Sequence, residues 1–155
     1  MNGEITREIN AALAGGPPVL VATVIAAPDG AAVAVGAKMM VRPPTGQAGA
    51  DGAVMGSLDG GALDEAVRRE APEAFRRHGV ETVHLSAEGA RLTRGGSRGK
   101  PGYQVMLEVH ERPATLLIIG GGHIGKALAV IGNLCGFSVE VIDDRPEYAN
   151  AERFP

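Results

Sequence analysis

The chain has 155 residues, 45% of them hydrophobic and 21% charged, with a formal net charge of −3 and no tryptophan, the composition of a globular protein able to bury a core. No apolar run reaches the roughly 18 residues of a transmembrane helix, the N-terminus carries Glu4 and Glu8 where a signal peptide has its apolar core, and neither the charge nor the sparse aromatic residues suit nucleic acid or an anionic membrane. The lone cysteine, Cys135, excludes an internal disulfide framework, and a cytoplasmic protein with no nucleic-acid or membrane partner is expected.

In chain order, Ile5, Ile9 and Leu13 recur at helical spacing until Gly15-Gly16-Pro17-Pro18 stops the pattern, which predicts a short amphipathic helix over residues 3–14. Val19 to Ala27 is apolar and rich in β-branched residues and reads as a buried strand. The turn residues Pro28-Asp29-Gly30 follow, and a strand is expected to return over Ala31 to Val41. After a loop from Pro43 to Gly52, Ala53 to Ser57 fits a short strand. Helical signal then runs from Ala62 to His78, with Pro72 inside it expected to kink or divide the helix. Val80 to Leu85 reads as a strand, and so does Tyr103 to Val109, with Val105, Leu107 and Val109 inward and Gln104, Glu108 and His110 outward. The basic, glycine-rich stretch from Arg91 to Gly102 between them reads as a loop.

The last third carries the most specific signal. An apolar run, Thr115 to Ile119, enters Gly120-Gly121-Gly122-His123-Ile124-Gly125, passes through a helical segment and emerges in a second apolar run, Phe137 to Ile142, capped by Asp143. A G-x-G-x-x-G that follows a strand, opens a helix and precedes an acidic residue 23 positions on is a dinucleotide-binding fingerprint in its proper context. Gly120 permits the tight turn, Gly122 lets the backbone approach a pyrophosphate and Gly125 lets helix and strand pack closely. The helix N-terminus offers N–H groups and a positive dipole end to the anion, and Asp143 accepts from a ribose hydroxyl. The fold class expected is α/β: a small N-terminal α+β domain over residues 1–113, then a Rossmann-like βαβ unit over 114–155. Because one βαβ unit takes roughly 30 residues, that unit is expected to be incomplete. Its open strand edges invite either a homo-oligomer or a partner chain carrying the remaining strands, and tight dinucleotide binding by an isolated monomer is not expected.

Several segments resemble the XdhC/CoxI family of accessory factors for molybdenum hydroxylases such as xanthine dehydrogenase. They are Gly36-Ala37-Lys38-Met39, Gly56 through Ala62, the strand from Gln104 to Val109 carrying Glu108, and above all Leu116 through Asp143-Asp144-Arg145-Pro146-Glu147 to Glu152-Arg153-Phe154-Pro155. The resemblance implies a small N-terminal domain ahead of a Rossmann domain, and a non-catalytic or weakly catalytic role. In that role the protein binds the molybdenum cofactor (molybdopterin), supports its sulfuration with a cysteine desulfurase and hands it to the molybdenum hydroxylase apo-enzyme. Where family members carry serine or glycine and then cysteine, this chain has Asp59 and Ala62, and Lys100-Pro101-Gly102 stands where a Cys-Gly-Gly is common. A thiolate is the natural soft partner for molybdenum and transferable sulfur, and Ala62 cannot supply it. Cys135 is read as a buried apolar residue on the helical face of Leu128 and Ile131.

The cofactor-binding candidates are Gly120, Gly122, His123, Gly125, Asp143 and Lys38. Each has a plain reading beside the functional one. The glycines also serve the turn, and Asp143 also reads as a strand-end carboxylate. His123, in the first helical turn, either meets an anion or fills a polar position. Lys38 is either an edge residue with its amine in water or a partner for a cofactor phosphate, and Arg94, Arg98 and Lys100 are either a solvated connector or a phosphate cradle. No catalytic set and no metal-ligand spacing is present; His78, His84 and His110 are scattered. Three functions compete: a maturation factor, an NAD(P)-dependent oxidoreductase, and a nucleotide-sensing regulatory module.

Overall fold

A computed structural model describes residues 2–43, 52–93 and 102–154. The chain forms two compact units, Met1–Arg112 and Pro113–Pro155.

The first unit is built on a five-stranded antiparallel sheet. Its strands are β1 (Val19–Ala26), β2 (Lys38–Val41), β3 (Val54–Gly56), β4 (Val80–Leu85) and β5 (Tyr103–His110), in the order β3-β2-β1-β5-β4. β1 is apolar almost throughout because it is covered on both faces. Leu20, Ala22 and Val24 face one way, into a cluster with Met39, Val83, Leu85, Val105 and Leu107 and with Leu63, Ala66 and Val67 of helix α2 (Ala62–Arg77). Val19 and Val21 face the other way, onto Ile5 and Ala12 of helix α1 (Asn2–Leu13). β5 shows the expected alternation, with Tyr103, Val105 and Leu107 buried and Gln104, Met106 and Glu108 less so.

One expectation fails here. Residues 31–37 are not strand; β2 begins only at Lys38. The backbone turns at Gly36, whose φ of +93° no β-strand residue adopts and whose N–H bonds to the carbonyl of Val24. Helix α2 is not divided at Pro72. Losing one helical N–H costs about 3 kcal/mol, and burial of Leu63, Ala66, Val67, Ala71 and Ala74 on one stripe offsets it.

The second unit comprises β6 (Thr115–Ile119), α3 (His123–Leu134), β7 (Ser138–Ile142) and a short 3-10 turn, Pro146–Tyr148. β6 and β7 pair in parallel, Leu116 opposite Val139 and Ile118 opposite Val141, an arrangement that requires the crossover α3 supplies. The helix meets the strands through small residues: Gly125, Ala129 and Gly132 are its buried positions, and a Cβ on Gly132 would sit 2.7 Å from a methyl of Leu116. Leu128 and Ile131 are therefore turned outward, 41% and 56% exposed. The expectation that Cys135 shares a buried face with them is overturned, since the thiol is exposed. No helix among the described residues is long and apolar enough to cross a membrane.

Candidate functional site

The glycine-rich turn joins β6 to α3, and each glycine answers to a different constraint. Gly120 has φ +104°, a conformation strained for any residue with a Cβ, and its N–H donates to the carbonyl of Ile142 at 2.7 Å, tying the turn to the end of β7. A Cβ on Gly125 would overlap the carbonyl oxygen of Gly120, so close helix–strand packing forbids a side chain there. Gly122 differs: its φ is −66° and a Cβ would meet nothing within 4 Å. No constraint within the chain requires glycine at 122, and the space above it is where a pyrophosphate would approach. Gly122 is also the N-cap of α3 with no side-chain cap, so the N–H groups of the first turn face outward at the positive dipole end. His123 opens the helix and is exposed there. The structure thus brings Gly120, Gly122, His123 and Gly125 together around one opening. Valine at Gly122 is expected to change stability by no more than about 1 kcal/mol, the scale of a lost cap preference, while weakening a phosphate-bearing ligand at least tenfold. Thermal melting alongside a ligand titration checks both halves.

Asp143 is joined to this turn from the other side. Its Oδ2 accepts from the Gly121 N–H at 2.8 Å and from Arg145 Nη2 at 3.2 Å; its Oδ1 accepts from Arg145 Nε and the Arg145 main-chain N–H, both at 3.0 Å. The Arg145 guanidinium, with the two backbone N–H groups, holds the Asp143 carboxyl well below the usual carboxylate range. This linkage stabilises the fold above the ordinary carboxylate pKa and is lost as pH falls through the depressed folded value. Arg153 and Tyr148, neither of them among the cofactor-binding candidates, complete the arrangement. Arg153 Nε donates to the Gly121 carbonyl at 2.7 Å, and Tyr148 stacks under both Arg145 and Arg153, at 3.9 and 4.9 Å from its ring centroid. Gly121 is thereby held at its N–H and its carbonyl, and a Cβ on it would overlap the Tyr148 carbonyl oxygen. The tail from Asp143 to Phe154 is a brace for the glycine turn. Its signal in the sequence was two arginines flanking a tyrosine at short spacing.

Lys38, the remaining candidate, lies in the first unit. It opens β2, opposite Thr23 of β1 and one residue before the pairing with β3 begins at Met39, and its Nζ donates to the buried Thr23 hydroxyl at 2.8 Å. The face of β4 and β5 away from α2 bears a groove of about 880 Å³ whose polar lining is Thr82, His84, Arg91, Thr93 and Gln104. Arg94, Arg98 and Lys100 lie outside the described residues. The start of α2 carries no opening comparable to that of α3. Asp59 accepts from the N–H groups of Gly61 at 2.8 Å and Leu63 at 3.0 Å, while Asp64 accepts from the Ser57 hydroxyl and the Leu58 N–H, both at 2.7 Å. Burial pushes the Asp59 carboxyl up, but the N–H groups of Leu63, Gly61 and Asp64 outweigh it and leave it below its ordinary value. A carboxylate thus fills the position at which a serine or glycine would leave the helix end open. No group of histidine, cysteine or acidic residues among the described residues is placed to hold a metal ion.

Comparison with known proteins falls on both units. Residues 12–86 match the XdhC and CoxI family, and residues 116–155 match the XdhC Rossmann domain. The Escherichia coli protein YqeB, described as uncharacterized, is 31% identical over 121 residues, which cover 77% of this chain and 21% of YqeB. The chain therefore spans about a fifth of that relative's length. A crystal structure described as a xanthine dehydrogenase from Bacillus halodurans aligns over 96% of this chain and 65% of its own, at 18% identity and a TM-score of 0.45, a likeness too slight to bear on function.

Proposed function

Because the chain belongs to the XdhC and CoxI family, we propose that it acts as an accessory factor for a molybdenum hydroxylase of the xanthine dehydrogenase or carbon monoxide dehydrogenase type, binding the molybdenum cofactor and delivering it to the apo-enzyme. The observation that carries this reading is the order of the two matches on one chain, residues 12–86 and then 116–155, since the glycine fingerprint on its own accounts for nothing in the first. The cofactor supplies the molybdenum centre at which the hydroxylase works. It is an anionic pterin, and the residues fit its phosphate better than its metal. The space above Gly122 and the uncapped start of α3 suit a phosphate. No described cluster suits metal ligation, and the family's thiolate position is Ala62. The protein would therefore hold the organic part and leave sulfur chemistry to a cysteine desulfurase.

A dinucleotide-binding function, as an NAD(P) oxidoreductase or a nucleotide-sensing module, is the second reading, favoured by the geometry of Gly120, Gly122 and Gly125. The partners proposed are the apo-hydroxylase, the desulfurase, and either a second copy or a further chain completing the parallel sheet. Exposed Leu117, Ile119 and Ile142, the last two at 84% and 56%, support such completion. Maturing a hydroxylase with and without this protein tests the proposal: molybdenum occupancy of the enzyme should rise several-fold in its presence, and equal occupancy would contradict it.

A further inference from the structure

Asp143 stands where a fingerprint fold presents a carboxylate to a ribose hydroxyl, yet the chain itself uses up its acceptor capacity. A carboxylate has about four lone-pair sites, and the bonds from Gly121 N–H, Arg145 N–H, Arg145 Nε and Arg145 Nη2 occupy all of them. The Asp143 side chain is 2% exposed as a result. Arg145 is not a loosely placed surface cation. Its guanidinium is held over the Tyr148 ring, which also packs against Arg153, itself bonded through Nε to the Gly121 carbonyl. The acidic group that does face solvent is the neighbour Asp144, 95% exposed, with its carboxylate 3.7 Å from Arg145 Nε.

We propose that Arg145 is the specificity-determining residue of the glycine-turn site: by saturating Asp143 it withdraws the ribose acceptor, so the site takes the phosphate of a ligand while discriminating against the free ribose hydroxyls of NAD. The inference rests on reading the turn at Gly120 to Gly125 as a phosphate site and does not depend on the identity of the cofactor. A bidentate arginine–carboxylate pair is among the strongest polar contacts available to a side chain, and a hydroxyl brings no charge with which to displace it.

The test is an NMR titration of NAD into the chain, followed at the Gly122 amide, which reads weak dissociation constants directly. Arg145→Ala should bind NAD roughly tenfold more tightly than the wild type, the scale of one hydrogen bond to a charged acceptor. Arg145→Lys, which keeps the charge and loses the two-pronged hold, should gain less and decides the matter if the alanine variant loses its amide spectrum. Adding Asp143→Asn to Arg145→Ala should abolish the gain. Affinity for NAD that is unchanged, weaker or undetectable in both single variants overturns the proposal, as does a gain that survives Asp143→Asn. Hydroxylase maturation is read separately, on the wild-type chain, so failure here is distinguishable from failure of the accessory-factor reading.

Discussion

Valine in place of Gly125 is expected to destroy the order of the glycine turn. A Cβ at that position overlaps the Gly120 carbonyl oxygen and comes within 3.4 Å of the Ile118 side chain. Neither neighbour can yield cheaply, because Gly120 is anchored to Ile142 by its N–H and Ile118 is the buried residue of β6. Over-packing a tight contact costs about 1–3 kcal/mol and occasionally more, and here the obstacle is backbone. Amide hydrogen exchange across residues 113–154 should show protection in β6, α3 and β7 collapsing, and any phosphate ligand should be lost with it. The same substitution three residues earlier, at Gly122, should leave that protection in place and remove only the ligand. Equal protection in the two variants would show that the packing constraint at Gly125 has been misread.

In the first unit the largest loss is expected from Leu107→Ala. Leu107 is 1% exposed in β5, paired with Ala22 of β1 on one side and Glu81 of β4 on the other, and it faces the cluster beneath α2. Truncating a buried leucine costs about 2–5 kcal/mol through lost transfer energy and the cavity left behind, a large part of the 5–15 kcal/mol that holds a typical domain together. Val80→Ala, on the neighbouring strand but 64% exposed, should change stability by no more than about 0.5 kcal/mol. Urea denaturation of the two variants separates a core at the β5–α2 interface from one placed elsewhere.

Elements with a clean period were legible in the sequence: β4, β5 and β6 fall where alternation or a short apolar run placed them, and the helix opened by the fingerprint lies where glycine and strand required it. The misreadings share a cause. Residues 31–37 have strand composition, but the backbone at Gly36 answers to a hydrogen bond with Val24, a contact made across the sheet rather than along the chain. Cys135 was placed by assuming that large apolar residues mark the inner face of a helix, whereas α3 approaches β6 and β7 so closely that Gly125, Ala129 and Gly132 form that face. At the site, the spacing of Gly120, Gly122 and Gly125 was readable because each glycine has its own steric reason. The engagement of Asp143 was not, because it depends on Arg145 folding back two residues and on Tyr148 fixing it there.

The proposed binding of the molybdenum cofactor on behalf of a hydroxylase is tested most directly by the molybdenum content of the chain purified from cells that make the cofactor. Near-stoichiometric molybdenum, falling at least tenfold in Gly122→Val while that variant stays folded, is the result the account requires. Molybdenum no higher than in a mock purification, in a protein that remains folded, would contradict it.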